Sequence, residues 1–330
     1  MKRQKDEEID ILKEVYQTQK INGNIIKNET PDFIIIDKEK NLKIGIEITT
    51  LYDNELGPIS SDEKFAKKFI ANHRPDLKKK NKKNKRFKNM WVAKIEKNPY
   101  ISGSVNTDYT IVQSNDFGDF LDFFDKTINR KSEHYHENPK GLEFVNLIIK
   151  NKGGLLSNPK LDMTLFYNFI RKHGLLKTII NSNFQEIYFI SKFKMGKLLI
   201  PLKWFVFFSE FLIFSKFWKQ ADFVKESMKS NLNDKINNFI IILLHLGFNN
   251  IYLYKEDEFK YIMFGNKYIK FHPHENTLKE VTFFTVELTK LKKAENHFNY
   301  KDYYFLFIKY NEFRNKVSPK FKDEDFIKLD

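Results

Sequence analysis

The sequence contains no cysteine, and only 12 glycines and three tryptophans among 330 residues. Without a thiol the chain forms no disulfide, offers no sulfur ligand to zinc or an iron–sulfur cluster, and has no cysteine nucleophile. No P-loop, no dinucleotide-binding glycine pattern and no Gly-x-Ser-x-Gly elbow occurs. Long hydrophobic runs are missing too. The most apolar stretch, Leu202 to Phe214, covers about 13 residues and is interrupted by Glu210, against the roughly 18 to 20 that a bilayer-spanning helix needs. The N-terminal run Met-Lys-Arg-Gln-Lys-Asp-Glu-Glu lacks the apolar stretch of a secretory signal. These absences predict a cytoplasmic protein with no membrane contact.

What the sequence has in excess is positive charge. Lysine and arginine number 57 against 43 acidic residues, for a formal net charge of +14. The same chain is rich in Lys, Asn, Ile and Phe, the mix an AT-rich genome encodes, and coding bias of that kind would spread its lysines evenly. They are not spread evenly. Between Lys64 and Lys97 there are 14 basic residues and two acids, a local net of +12, which leaves +2 for the rest of the chain. A basic block this concentrated is the electrostatic footprint of a polyanion binder. Its densest part (Lys78, Lys79, Lys80, Lys82, Lys83, Lys85, Arg86 and Lys88) has Phe87 as its one aromatic. That composition suits phosphate contacts better than base stacking.

With 41% hydrophobic residues the chain can bury a substantial core. Residues 5–18 read as an amphipathic helix with Ile11, Leu12, Val15 and Tyr16 on one face, and Ile25–Ile26 as a short strand. Asp32 to Ile36 and Ile44 to Thr50 read as two strands joined by the polar turn Asp37–Asn41, hence a hairpin. The segment from Ser60 to Lys97 is helix-compatible but broken by Pro75, and 98–115 reads as irregular. Further on, the expected elements are a helix over 117–134, a buried strand over 142–150, helix over 163–180 and a strand over 186–193. Past a boundary near 200, buried helices are expected at 204–218 and 236–248, and strands at 251–255, 261–264 and 303–309.

The chemistry concentrates in the hairpin. Asp32 opens its first strand and Glu47 stands late in the second, so an antiparallel pairing brings the two carboxylates together. Glu47 is flanked by Ile46 and Ile48 and therefore points to the opposite face of its strand. A carboxylate amid such apolar neighbours is costly unless it is paired or binds a cation. Two converging carboxylates are the hard oxygen ligands that Mg²⁺ prefers, with positions left for water and a phosphate oxygen.

The run Glu29-Thr-Pro-Asp-Phe-Ile-Ile-Ile36 followed by Ile44-Gly-Ile-Glu-Ile-Thr49 resembles the PD-(D/E)XK nuclease superfamily, in its "ETPDF…IGIEVT" variant. The resemblance covers about residues 1–200. It implies an α/β fold with a restriction-endonuclease-like αβββαβ core, a central mixed sheet flanked by helices. On this reading residues 51–115 form a basic insertion, and 201–330 a C-terminal aromatic-rich α+β extension of unknown role. It further implies a metal-dependent nuclease cutting DNA, in restriction or phage defence. Asp32, Glu47 and the Ile48 carbonyl would bind Mg²⁺ or Mn²⁺, and Glu8 would be an additional ligand from the first helix. Thr49 stands where the family has its motif lysine. Threonine can orient a water but brings no charge, and Lys131, from the helix after the hairpin, is the candidate replacement, ahead of Lys43 and Arg130.

Each residue also has a plainer reading. Asp after Pro is common turn chemistry, Glu8 can be a first-turn helix acid, Lys131 a solvated helix lysine, and Thr49 an ordinary strand residue. His134 and His136 fall on different faces of a helix, and His272 and His274 on a turn. The expected partner is nucleic acid, DNA ahead of RNA, and a homodimer is compatible with this. The alternative is a nuclease fold that binds nucleic acid without cutting it, a reading that rests on the missing motif lysine.

Overall fold

The computed structural model describes residues 2–18, 23–37, 42–52, 90–94, 109–113, 117–135, 141–158, 160–220, 232–256, 259–264, 267–271, 278–282, 292–294 and 303–329, with single positions 68, 71 and 139. The densest basic stretch, Lys78 to Lys88, together with His136, His272 and His274, lies outside them.

The described chain is an α/β protein built on a mixed seven-stranded sheet, with seven α-helices among the described residues. Helix α1 (Lys2–Thr18) leads into β1 (Asn24–Lys27), β2 (Phe33–Asp37) and β3 (Leu42–Leu51), an antiparallel meander. β6 (Phe144–Asn151) then lies parallel to β3, and β7 (Ile187–Phe193) parallel to β6. β8 (Gly196–Pro201) returns antiparallel to β7, and β14 (Ile327–Leu329) completes the sheet on β8. The seventh strand thus comes from the far end of the chain. Helices α2 (Phe117–Glu133), α3 (Met163–Lys172) and α4 (Leu175–Asn181) intervene between β3 and β7, followed by α5 (Leu202–Gln220), α6 (Leu232–His245) and α7 (Tyr304–Arg314). A second, five-stranded antiparallel sheet has the order β12-β11-β10-β9-β13, from β9 (Tyr252–Glu256), β10 (Phe259–Phe264), β11 (Lys267–Phe271), β12 (Leu278–Thr282) and β13 (Lys292–Lys293). Among the described residues no helix is long and apolar enough to cross a membrane.

The two-residue period of β3 sorts its side chains onto two cores. Ile44, Ile46 and Ile48 join Phe33 and Ile35 under α1, where Ile11, Leu12, Val15 and Tyr16 provide the helix face. Leu51 and, from the parallel neighbour, Val145, Leu147 and Ile149 belong to the larger core on the opposite side, with Phe120, Leu121, Phe124 and Ile128 of α2. Glu47 is on this second face, among groups that would otherwise be apolar.

Three expectations are corrected. Residues 98–115 were expected to be irregular, and Tyr109–Gln113 is instead strand β5, paired antiparallel with β4 (Met90–Lys94). That pairing also ends the helix-compatible segment in a strand. The single helix expected over 163–180 is two, divided at Gly174, whose φ of +79° is the left-handed conformation that favours glycine. The aromatic run 303–309, expected to be a strand, is helical: Leu306, Tyr310 and Arg314 are buried at four-residue spacing, while Tyr304, Phe305 and Ile308 stay exposed. β-branched and aromatic content suggested a strand, but the burial of one helical face decided otherwise.

Candidate metal and phosphodiester site

The hairpin register sets the site. Its ladder ends with Phe33 opposite Ile46, so the next step along the pleat puts Asp32 beside Glu47. Gly45 makes the approach possible. A Cβ there would stand 2.8 Å from Pro31 Cγ, 2.9 Å from Leu142 Cδ1 and 3.1 Å from Val145 Cγ2. The glycine of the Gly-Ile-Glu run therefore lets Pro31 settle on β3, and Pro31 in turn positions Asp32. The Ile48 backbone N–H donates to Asp32 Oδ2 at 2.7 Å, which fixes the carboxylate across the strand pair.

Glu47 is 7% exposed and is held from the helix side. Lys131 Nζ forms an ion pair with its Oε1, and the Tyr135 hydroxyl donates to its Oε2 at 2.7 Å. Lys131 is in the last turn of α2 and Tyr135 in the turn just after it, four residues on. α2 presents them because Lys131 and Tyr135 continue, at spacings of three and four, the stripe of Phe120, Phe124 and Ile128 that packs into the core. Burial and the Glu47 carboxylate push the Tyr135 hydroxyl well above its ordinary range, so it is a proton donor at any working pH.

The Asp32 carboxyl is itself pushed up to about 6. Burial is the largest cause, and the negative charges of Glu47 and Glu8 add to it. The Ile48 N–H and the Lys131 ammonium pull the other way without cancelling them. Glu8 acts on Asp32 from α1, which is tied to the sheet by the Glu7–Lys152 ion pair at 2.9 Å and a Glu14–Lys197 pair.

The structure therefore brings Asp32, Glu47 and Lys131 together, with Glu8 close enough to act on Asp32 through its charge. Ile48 is joined to the site through its N–H to Asp32. Thr49, one residue past Ile48, shares Glu47's face of β3 and is half-buried, opposite Ile149 in the parallel ladder. Lys43 and Arg130 are exposed, and among the described ion pairs neither reaches the two carboxylates. Tyr135 has a role that its sequence position alone did not assign. The available signal was its spacing of four from Lys131, which puts both on one helical face.

Among the described residues no group of three or more His, Asp or Glu side chains is gathered tightly enough to hold a metal by itself. The donor set is nonetheless of the kind a hard divalent cation takes: two carboxylates from paired strands, each oxygen able to accept more than one contact. The charged form of one carboxylate, Asp32, is disfavoured first by burial and then by the charges of Glu47 and Glu8, and a cation would offset both. No family model, no curated protein and no solved structure matches the chain.

Proposed function

We propose that the chain is a metal-dependent nuclease that hydrolyses phosphodiester bonds, with DNA as its substrate, on a restriction-endonuclease-like αβββαβ core formed by α1, β1–β3, α2 and β6. The observation that carries the proposal is geometric: the hairpin register puts Asp32, held by the Ile48 N–H at 2.7 Å, beside the buried Glu47 with its Lys131 and Tyr135 partners, and the upward shift of the Asp32 carboxyl, caused first by burial, agrees with it. Buried acid pairs of this sort mark sites where charge develops or a cation binds.

Asp32, Glu47 and the Ile48 carbonyl would hold Mg²⁺ or Mn²⁺, which when bound supplies an activated water and offsets charge on the phosphodiester. The chain's own groups do the rest. Tyr135 fixes the Glu47 carboxylate by its hydroxyl. Lys131, in the place of the missing motif lysine, brings a positive charge to Glu47 that can pass to a phosphate oxygen once substrate arrives. Thr49 offers a hydroxyl on the same strand face. The basic block between Lys64 and Lys97 would grip backbone phosphates without reading sequence.

Cleavage of a labelled duplex with Mg²⁺ or Mn²⁺ tests this. Asp32→Ala and Glu47→Ala should each lose at least about 10²–10³-fold in rate, the equivalent of several kcal/mol of charge stabilisation. Undiminished cleavage by either variant would overturn the site. A second reading, a nuclease fold that binds nucleic acid without cutting it, is favoured by the commitment of both Glu47 oxygens to Lys131 and Tyr135. It requires salt-dependent binding with no metal-dependent cleavage in the unaltered chain.

A further inference from the structure

Lys131 already holds the carboxylates that a cation would need. Of the two Glu47 oxygens, Oε2 is taken by the Tyr135 hydroxyl and Oε1 by the Lys131 ammonium. The Lys131 charge also reaches Asp32, where it favours the ionised form. One ammonium therefore serves both carboxylates in the metal-free chain. A divalent cation bound to Asp32 and Glu47 would come within a few ångströms of that ammonium, and like charges so close repel strongly. The two compete for Glu47.

The two groups on Glu47 differ in their freedom to leave. Tyr135 is buried, with its ring against Phe184, so its hydroxyl is fixed in place. The Lys131 side chain is 24% exposed and belongs to the last turn of α2, and a flexible four-carbon stem gives its ammonium a way to solvent. This chain handles a permanently neutralised carboxylate differently. At Glu210 the counter-ion is Arg314, whose side chain is only 9% exposed and whose guanidinium contacts both carboxylate oxygens. Lys131, by contrast, contacts a single oxygen of Glu47, as suits a counter-ion that is exchanged.

A phosphodiester is the partner that can draw it away, because it offers an ammonium a full negative charge and unshared acceptor oxygens. We infer that Lys131 is the resting counter-ion of the site and couples its two ligands: a substrate phosphate draws the ammonium off Glu47 Oε1, and the oxygen so freed takes the cation. Metal then binds tightly only with substrate in place. By linkage the metal tightens substrate binding by the same factor, about 5- to 150-fold for couplings of this kind. The identity of the substrate rests on the nuclease reading, whereas the competition between ammonium and cation does not.

The test measures Mn²⁺ binding to the full chain without nucleic acid, from the electron paramagnetic resonance of free Mn²⁺. Lys131→Met should tighten the Mn²⁺ Kd by about tenfold or more. Arg130→Met removes the same charge from the adjacent, exposed position and should change the Kd by less than about twofold, because an exposed charge is screened. Should Lys131→Met not fold by circular dichroism, Lys131→Gln removes the charge while keeping a donor for Glu47, and the same tightening is expected. The second readout is the affinity for a short labelled duplex by fluorescence anisotropy, with the duplex shown intact at each point. Mn²⁺ should tighten it at least about fivefold in the unaltered chain and by a smaller factor in Lys131→Met. Mn²⁺ affinity unchanged or weakened in Lys131→Met, equal tightening in Lys131→Met and Arg130→Met, or no Mn²⁺ binding to any of the proteins would each overturn the inference. If Lys131→Met tightens Mn²⁺ binding as expected but the unaltered chain never cleaves, the nuclease reading fails and the exchangeable counter-ion stands. If the unaltered chain cleaves while Lys131→Met binds Mn²⁺ no more tightly, the counter-ion fails and the nuclease reading stands.

Discussion

Two buried glutamates, one in each half of the chain, are handled in opposite ways. Glu210, in the middle of α5, is fully buried. The Tyr167 hydroxyl donates to its Oε1 and the Tyr310 hydroxyl to its Oε2 at 2.8 Å, while Arg314 contributes Nε at 2.9 and 2.8 Å together with Nη2. Both tyrosines are held protonated, far above their ordinary range, by burial and by the Glu210 charge. For Arg314 burial works in the other direction, but the Glu210 charge overcomes it and secures the guanidinium. One carboxylate, one guanidinium and two phenols form a closed set joining α3, α5 and α7. Glu47 has one tyrosine and one partly exposed lysine, and a second carboxylate, Asp32, stands beside it with its proton affinity raised. The first network is balanced and leaves nothing for a ligand to do. The second is short of positive charge.

Breaking the balanced network should have the largest effect on stability. Arg314→Leu strands the Glu210 charge in the core and should destabilise the protein by about 3–5 kcal/mol, read as a lowered urea midpoint, with little effect on metal affinity. Adding Mn²⁺ should sharpen the contrast from the other side. At a hundredfold excess over its Kd it should stabilise the unaltered chain by about 2.7 kcal/mol, and should do nothing for Asp32→Asn. Equal stabilisation of both proteins would place the ion elsewhere.

Asp32→Asn should itself stabilise the metal-free protein. The raised carboxyl means that the folded state holds the charged form less well than the unfolded chain does. That cost is fully present above about pH 6, shrinks as pH falls toward 4, and is absent below the unfolded value of 3.8. Two units would correspond to about 2.7 kcal/mol, and because Asp32 is only half-buried a gain of about 1–2 kcal/mol is expected at pH 7. The gain should vanish near pH 3.5, and urea unfolding of the two proteins at both pH values measures it. The smallest effect belongs to Tyr135→Phe, which removes one of Glu47's two partners. A loss of about 1–2 kcal/mol is expected, less than for Arg314→Leu because Glu47 keeps Lys131.

Much of this contrast was legible in the sequence on one side and hidden on the other. The hairpin could be read because its strands are short, apolar and joined by a polar turn. The pairing of Asp32 with Glu47 follows from a hairpin whose polar turn lies midway between them, whereas the close approach of Pro31 to Gly45 emerged only from the structure. Lys131 was recoverable from helical spacing, since α2 has a clear apolar stripe. The Glu210 network was not legible. Glu210's partners lie 43 to 104 positions from it, and α5 is apolar on nearly every side, so no periodicity singled out the direction in which Glu210 points. The strand expected over 303–309 stopped short of Tyr310 and Arg314, so the helix that carries both toward Glu210 was not anticipated. A cavity lined by Tyr135 and Lys203 is assembled from six separate stretches of chain and has no local signature at all.

The central claim, that Asp32 and Glu47 form a charge-poor site awaiting a cation, is tested most directly by titrating the Asp32 carboxyl itself. The measurement is ¹³C NMR of protein labelled at aspartate Cγ, with Asp32→Asn to assign the resonance, recorded with and without Mg²⁺. The account predicts a midpoint near 6 without metal and a fall to well below the usual aspartate range when Mg²⁺ is added. A midpoint near 4 that Mg²⁺ leaves in place would contradict it.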